Sequence, residues 1–254
     1  MISRYEAVLN GQPLSAVSAN ILILDIAYPP ANIDFSLYKG AKRHGNRVYR
    51  EYVDHRDVVI TFAIRAYSVQ ERQAICNAVQ RWAKNGGILQ TNDHEGQRLR
   101  CVLSTPPIIQ SALKWTDPIS MTFTAYSLPF WEENVPATLS LSGVSKSGSL
   151  YVPGSVDGAN FEVVAVPSGL LSSVSFTANG KTLSLTGLSV LSGTKVSITY
   201  DDDMIMSIKA GNTSILNKRT GADDLPVKSG ESNSVSFSAN VSCAVTFKGR
   251  GLWA

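Results

Sequence analysis

Pro129-Phe130-Trp131-Glu132-Glu133 marks the point at which this chain of 254 residues changes character. The stretch before it carries all three histidines, His44, His55 and His94, and one segment of helical period. The stretch after it runs in short alternating segments of Ser, Thr, Gly and Val with no helical period at all. Up to Trp131 there are 14 basic and 10 acidic residues; beyond it, 9 and 10. A single core is usually built from about 100 to 150 residues, so the length suits two domains. We expect one module over residues 1–131 and another over 136–254, with Phe130 and Trp131 at the junction, packed on the first. Two modules of different composition suggest an adaptor, in which one part assembles and the other presents a surface.

Bulk composition narrows the functional classes. With 44% hydrophobic and 17% charged residues the chain is globular and has enough apolar surface for real cores. A net charge of +3 is too small to point to nucleic acid. Cys76, Cys101 and Cys243 are odd in number, far apart and without C-x-x-C spacing, which leaves buried free thiols as the expectation and no disulfide framework or zinc site. Met1 to Gln12 has polar residues where a secretory leader would be apolar, and no run approaches the roughly 18 apolar residues of a membrane span. The chain is therefore expected to be made without a leader and to be soluble.

Working outward from the boundary, residues 4–9 and 21–27 read as strands, with Asn10-Gly11 as the turn between them. The stretch from Tyr38 to Arg47 is basic, holds two glycines and has no apolar period, which makes it an exposed loop or hairpin tip. Val48 to Tyr52 and Asp57 to Tyr67 read as strands, the second with Val58, Ile60, Phe62, Ile64 and Ala66 on one face. A helix is predicted from Val69 to Asn85: Ser68 and Glu71 form a capping box, Ile75, Val79 and Trp82 recur at helical spacing, and Gly86-Gly87 supplies the stop. Strands resume at 88–91, 98–104 and 119–127. Past Glu133, evenly spaced short strands with turns at Asn179-Gly180, Ser192-Gly193 and Gly211-Asn212 point to a β-sandwich, with the Ser-Gly stretch 142–149 read as a linker or exposed hairpin. The fold class is mainly β with one helix.

The residues offer little to catalysis. No G-x-S-x-G elbow accompanies the histidines, and no Ser or Cys is placed beside one of them by the sequence. Asn92-Asp93-His94-Glu95-Gly96 has three candidate metal ligands but reads as a polar hairpin turn. Asp201-Asp202-Asp203 lacks the rest of a calcium loop and reads as a solvated turn. Adjacent acids such as Glu132-Glu133 and Asp223-Asp224 point in different directions on extended backbone, so neither makes an acid/base couple, and the first reads as the start of a solvated connection. No catalytic residue, metal or cofactor is assigned. Sugar binding on an aromatic platform would draw on Tyr151, Phe161, Phe176, Tyr200, Phe237 or Trp253, most of which fit a core better. The basic run Lys39, Lys42, Arg43, Arg47 and Arg50 could neutralise DNA phosphates, but the interleaved Glu51, Asp54 and Asp57 favour pairing with a second copy or a protein partner. Lys39, Lys42, Arg43, Arg47, Arg50 and Glu51 are thus the candidate interface residues.

Taken in order, these pieces resemble the distal tail proteins of long-tailed bacteriophages. The resemblance is carried by Lys39 to Tyr67, by the helix with its Trp82-Ala83-Lys84-Asn85-Gly86-Gly87 ending, by the strand Ile119 to Ser127 and by Pro129-Phe130-Trp131. It extends to Asp223-Asp224-Leu225-Pro226-Val227-Lys228-Ser229-Gly230-Glu231-Ser232-Asn233 and the terminal Phe247-Lys248-Gly249-Arg250-Gly251-Leu252-Trp253. It implies a β-barrel-like N-terminal domain that closes into a hexameric ring, a galectin-like C-terminal sandwich outside it, and no catalysis. The implied partners are further copies of the chain, the tail tube protein, and a tail fibre or baseplate hub protein. The implied location is the virion tail tip, after assembly in the host cytoplasm. The alternative is an adhesion module that recognises host cell-wall glycan through the sandwich.

Overall fold

The computed structural model describes residues 5–38, 47–108, 117–201 and 204–254, with backbone alone for 35–38 and 47–52. Its contacts divide the chain into two compact units, Met1–Phe130 and Trp131–Ala254. The fold is mostly β, with curled sheets and one α-helix among the described residues. Among the described residues no helix is long and apolar enough to cross a membrane. The three cysteines are buried and free; burial pushes the Cys101 thiol up to about 12 and raises those of Cys76 and Cys243.

The first unit runs β1 (Ala7–Leu9), β2 (Gln12–Pro13), β3 (Ile21–Ala27), β4 (Asn32–Tyr38), β5 (Arg47–Ile64), α1 (Val69–Ala83), β6 (Gly87–Thr91), β7 (Gln97–Thr105) and β8 (Ile119–Ala125). Its sheet has the order β2-β1-β6-β7-β8-β5-β3, with β4 paired to β5. Alternation sets the faces: Val58, Ile60, Phe62 and Ile64 of β5 and Ile119, Met121 and Phe123 of β8 are buried. Ile75, Cys76, Val79 and Ala83 form the buried stripe of α1, while Trp82 meets Phe123 edge-on at 6.0 Å and donates its indole N–H to the Gln12 carbonyl (2.9 Å). The Asn10-Gly11 turn joins β1 to β2, not β1 to β3. The two strands expected over 48–52 and 57–67 are one continuous 18-residue strand that ends at Ile64, since neither Gly nor Pro interrupts Val53 to Arg56.

The helix cap differs from a reciprocal box. Ser68 Oγ accepts from the Glu71 N–H (3.1 Å), but Glu71 reaches one residue further back, accepting from the Tyr67 N–H (2.8 Å) and from Asn20 Nδ2 (3.1 Å). One carboxylate thereby ties the helix start to the turn before β3.

The second unit comprises β9 (Trp131–Glu133), β10 (Ala137–Val152), β11 (Glu162–Pro167), β12 (Leu171–Ala178), β13 (Lys181–Val190), β14 (Val196–Tyr200), β15 (Met206–Ala210), β16 (Thr213–Ser214), β17 (Arg219–Gly221), β18 (Glu231–Gly249) and β19 (Leu252–Trp253). The 19-residue β18 organises it. Along one side β18 pairs with β10, and along the other its first half pairs with β12 and its second half with β11. Register is interrupted where Gly143 faces Cys243 but Ser145 faces Ser238, so four residues of β18 oppose Val144 alone. At this break both strands fold over. A Cβ added at Gly148 would lie 2.8 Å from a methyl of Leu139 and 3.2 Å from one of Leu141, which places the two halves of β10 face to face. The outcome is two layers: β10, β18, β11, β14, β15 and β16 in one, β10, β18, β12, β13 and β17 in the other. Phe161, Phe176, Phe237 and Phe247 are buried between them, with Phe247 edge-on to both Phe161 (6.2 Å) and Phe176 (6.3 Å). The Ser-Gly stretch expected as a linker is the bend and second half of β10. Its alternating serines are the outward face of a paired strand.

The boundary itself is tighter than its composition suggests. Leu128 is buried and the Pro129 carbonyl accepts from Arg56 Nε (3.0 Å), so the first unit holds the chain to that point. Trp131 belongs to the second unit, where β9 pairs with β19 with Trp131 opposite Trp253. Glu132 is 4% exposed, and Glu133 accepts from the Trp253 indole N–H (2.8 Å). The acidic pair is therefore no solvated connection, because the last residues of the chain return to cover it.

Ser68→Ala should lower the stability of the first unit by about 1 kcal/mol, read by chemical denaturation, because it orphans a helix N–H. Phe247→Ala should cost the second unit about 3–5 kcal/mol, since it removes the ring shared by both layers. A fragment beginning at residue 136 should melt below one beginning at residue 131, because the former loses β9 and leaves β19 unpaired; equal melting temperatures would remove the role given to that pairing.

Candidate interface arm

The first half of β5 has a different status from the second. Residues 56–62 pair with β8 and 59–64 with β3, while among the described residues 47–55 pair only with β4. Tyr38 faces Arg47, Ser36 faces Arg50 and Phe35 faces Glu51, with register shifts at Asn32/Ile33 and Ser36/Leu37. At roughly 3.3 Å per residue this ribbon extends about 30 Å beyond the sheet. An isolated two-stranded ribbon is marginal in water and gains stability from a further partner.

Three of the six candidate interface residues fall here. The backbone brings Arg47, Arg50 and Glu51 onto the ribbon, while Lys39, Lys42 and Arg43 lie outside the described residues.

Polar clamps gather where the ribbon leaves the sheet. Tyr28-Pro29-Pro30 ends β3, and the two prolines restrict that connection to extended backbone. Tyr28 donates its hydroxyl to Thr91 Oγ1 (2.9 Å), with Asp93 Oδ2 at 3.3 Å and the His94 ring edge-on at 4.7 Å. Burial, reinforced by the charge of Asp93, pushes the Tyr28 phenol up to about 12. His94 contacts Gln97 Oε1 through Nδ1 (3.1 Å), and burial lowers its pKa below the ordinary 6.5. On β5 itself Asp57 accepts from the Thr124 hydroxyl (2.5 Å), and His55 sits 2.8 Å from Asp54 with its ring 5.8 Å from that of Tyr126. The sequence reading missed Tyr28 and Arg56; the Tyr-Pro-Pro end of β3 was the available signal.

Elsewhere the candidate ligands disperse. Asn92–His94 is a short 3-10 turn in the β6–β7 hairpin. Among the described residues no three His, Cys, Asp or Glu side chains gather as metal ligands would. Asp201 closes its turn by accepting from the Ile205 N–H (2.8 Å), while Asp202 and Asp203 lie outside the described residues. Asp223 and Asp224 take separate partners, Arg219 (2.7 Å) and Lys181 (2.9 Å). Of the aromatic residues considered for a sugar platform, Phe161, Phe176 and Phe237 are core, and Tyr151 is the large exposed one. Tyr151 borders an outer face made of hydroxyl rows: Ser145, Ser238, Ser175, Ser184 and Thr220 in one, Ser147, Ser236, Thr177 and Thr182 in the next.

No protein-family model matches the chain, and no curated protein does. Solved structures do. The crystal structure of the SPP1 Dit protein (gp 19.1), described as a paradigm of the hub of the adsorption apparatus in phages that infect Gram-positive bacteria, has a TM-score of 0.72 at 10% identity, over 97% of this chain and 98% of that one. The phage P2 baseplate in its activated conformation with Ca gives 0.55 at 8% identity, over 99% and 98%. The fold is that of these phage hub proteins, shared at 8–10% identity.

The lowered pKa of His94 has a signed consequence. The folded state disfavours its charge, so the contribution is complete above the unfolded value of 6.5 and is lost as pH falls through the lower folded value. Unfolding midpoints of the first unit should therefore fall as pH drops below 6.5 and level off once it is below the folded value, and His94→Gln should flatten the dependence; an unchanged slope in the variant would assign it to other groups.

Proposed function

We propose that this chain is a structural component of a phage tail tip, a hub that closes into a hexameric ring through its first unit and carries the second as a docking module. The observation that supports this most is the extent of the likeness to the SPP1 hub protein, which spans 97% of the chain and thus both units and the order in which they occur. The ribbon adds a physical reason to oligomerise, since among the described residues its outer edges have no partner within one copy. Contacts between unlike surfaces that close on themselves generate a ring from one repeated interface. On this reading Lys39, Lys42, Arg43, Arg47, Arg50 and Glu51 face the next copy. The other partners are the tail tube protein on one side and a tail fibre or baseplate hub protein on the other. The role is non-enzymatic, and the protein resides in the virion after assembly in the host cytoplasm.

Native mass spectrometry and negative-stain microscopy of the full chain test the ring. Six-subunit particles are expected at high concentration, with Arg47→Glu and Arg50→Glu together shifting the population toward monomer at unchanged thermal stability. A chain that stays monomeric at all concentrations and never appears in purified tails would refute the proposal.

A further inference from the structure

Three asparagines in this chain precede glycine: Asn10, Asn85 and Asn179. In such a pair the following backbone nitrogen can attack the side-chain amide carbon, because glycine presents no Cβ to hinder it. The new C–N bond closes a five-membered imide, ammonia leaves, and water opens the ring at either carbonyl to give aspartate or isoaspartate. The reaction requires no reactant but water, and it is faster in alkaline solution, where the attacking nitrogen loses its proton more readily. Whether it proceeds in a folded protein depends on how firmly the side chain is held.

Two of the three are held at both ends of the amide. Asn10, at φ 51° in its turn, accepts from the Ile88 N–H at Oδ1 (2.9 Å) and donates through Nδ2 to the Gly86 carbonyl (2.9 Å). Asn179, at φ 49°, accepts from the Ser234 N–H (3.1 Å) and donates to the Pro226 carbonyl (3.0 Å) and to Asn233 Oδ1 (2.7 Å). In each unit an Asn-Gly turn thus clamps a segment distant in sequence, and attack would first have to break every one of these bonds. Asn85 differs: it is exposed just past the end of α1 and makes no side-chain hydrogen bond to a described residue. The restraint on the attacking nitrogen is a single bond from the Gly86 N–H to the Ala83 carbonyl (3.0 Å), in the last turn of a helix, where fraying is easy.

We propose that Asn85 is a spontaneous deamidation site of the folded protein, while Asn10 and Asn179 are shielded by the hydrogen bonds of their own amides. The product would fall at a crowded place. Gly86 has a left-handed φ of 61° and passes so close to β7 that an added Cβ would collide with the Cys101 carbonyl, and Gly87 lies as tightly against the Asn10 amide. An isoaspartate at position 85 lengthens the backbone by one carbon directly before this passage, and either product puts a negative charge at the negative end of the helix dipole. The modified fraction should therefore have a less stable first unit.

Peptide mapping by mass spectrometry, after incubating the full chain in mildly alkaline buffer with and without urea, tests this. In buffer, position 85 should convert at least about tenfold faster than 10 and 179, the equivalent of local opening costing those two about 1.4 kcal/mol or more. In urea the three rates should converge. The proposal is overturned if Asn10 or Asn179 converts as fast as Asn85 in buffer, or if the native difference persists unchanged in urea. Asn85→Gln, an exposed change, should abolish the early conversion; early acid formation of the same size in that variant would also overturn it.

Discussion

One strand in each unit has to serve two sets of partners, and the remainder of each unit is arranged around that demand. In the second unit β18 gives its first half to β12 and its second half to β11, and the chain can meet this only by folding over where Gly143 and Ser145 lose register. Two layers result from one hydrogen-bonded sheet, and Phe247 is in position to touch rings from both. In the first unit β5 is divided the same way, half inside the sheet and half in a ribbon with β4. A strand with two kinds of partner relocates the open edges of the fold, and open edges are where assembly begins.

Features set by neighbours in sequence were legible before the structure. The N-cap at Ser68, the burial of Ile75 and Val79 in α1, the alternation in β8 and the turn at Asn179-Gly180 all follow from spacing; the reach of Glu71 back to Tyr67 does not. Features set by distant partners were not. Within Ser142 to Ser149 only Val144 favours a strand, yet the stretch is one because β18 supplies a cross-strand partner to each of the remaining residues in it. Glu132 looked solvated because its cover, β19, lies more than a hundred residues away in sequence and comprises two residues.

The candidate interface was legible to a different degree. Alternating charge placed Arg47, Arg50 and Glu51 together, and the structure gives the stretch a form, a ribbon continuous with the sheet. Tyr28 escaped notice because a lone tyrosine has no pattern; its meaning comes from Thr91, Asp93 and His94, which the fold brings from another hairpin. Two prolines after it were the only trace of that constraint in the sequence.

The hydroxyl rows of the second unit have a kinetic consequence. The rows from Ser145 to Thr220 and from Ser147 to Thr182 contain no charged side chain. With no charge in the rows themselves, a molecule meeting that face gains no charge pairing from them, so they contribute little to the speed of encounter. Discrimination at such a surface operates through dwell time, by how well the two shapes and their hydroxyls fit once they have met.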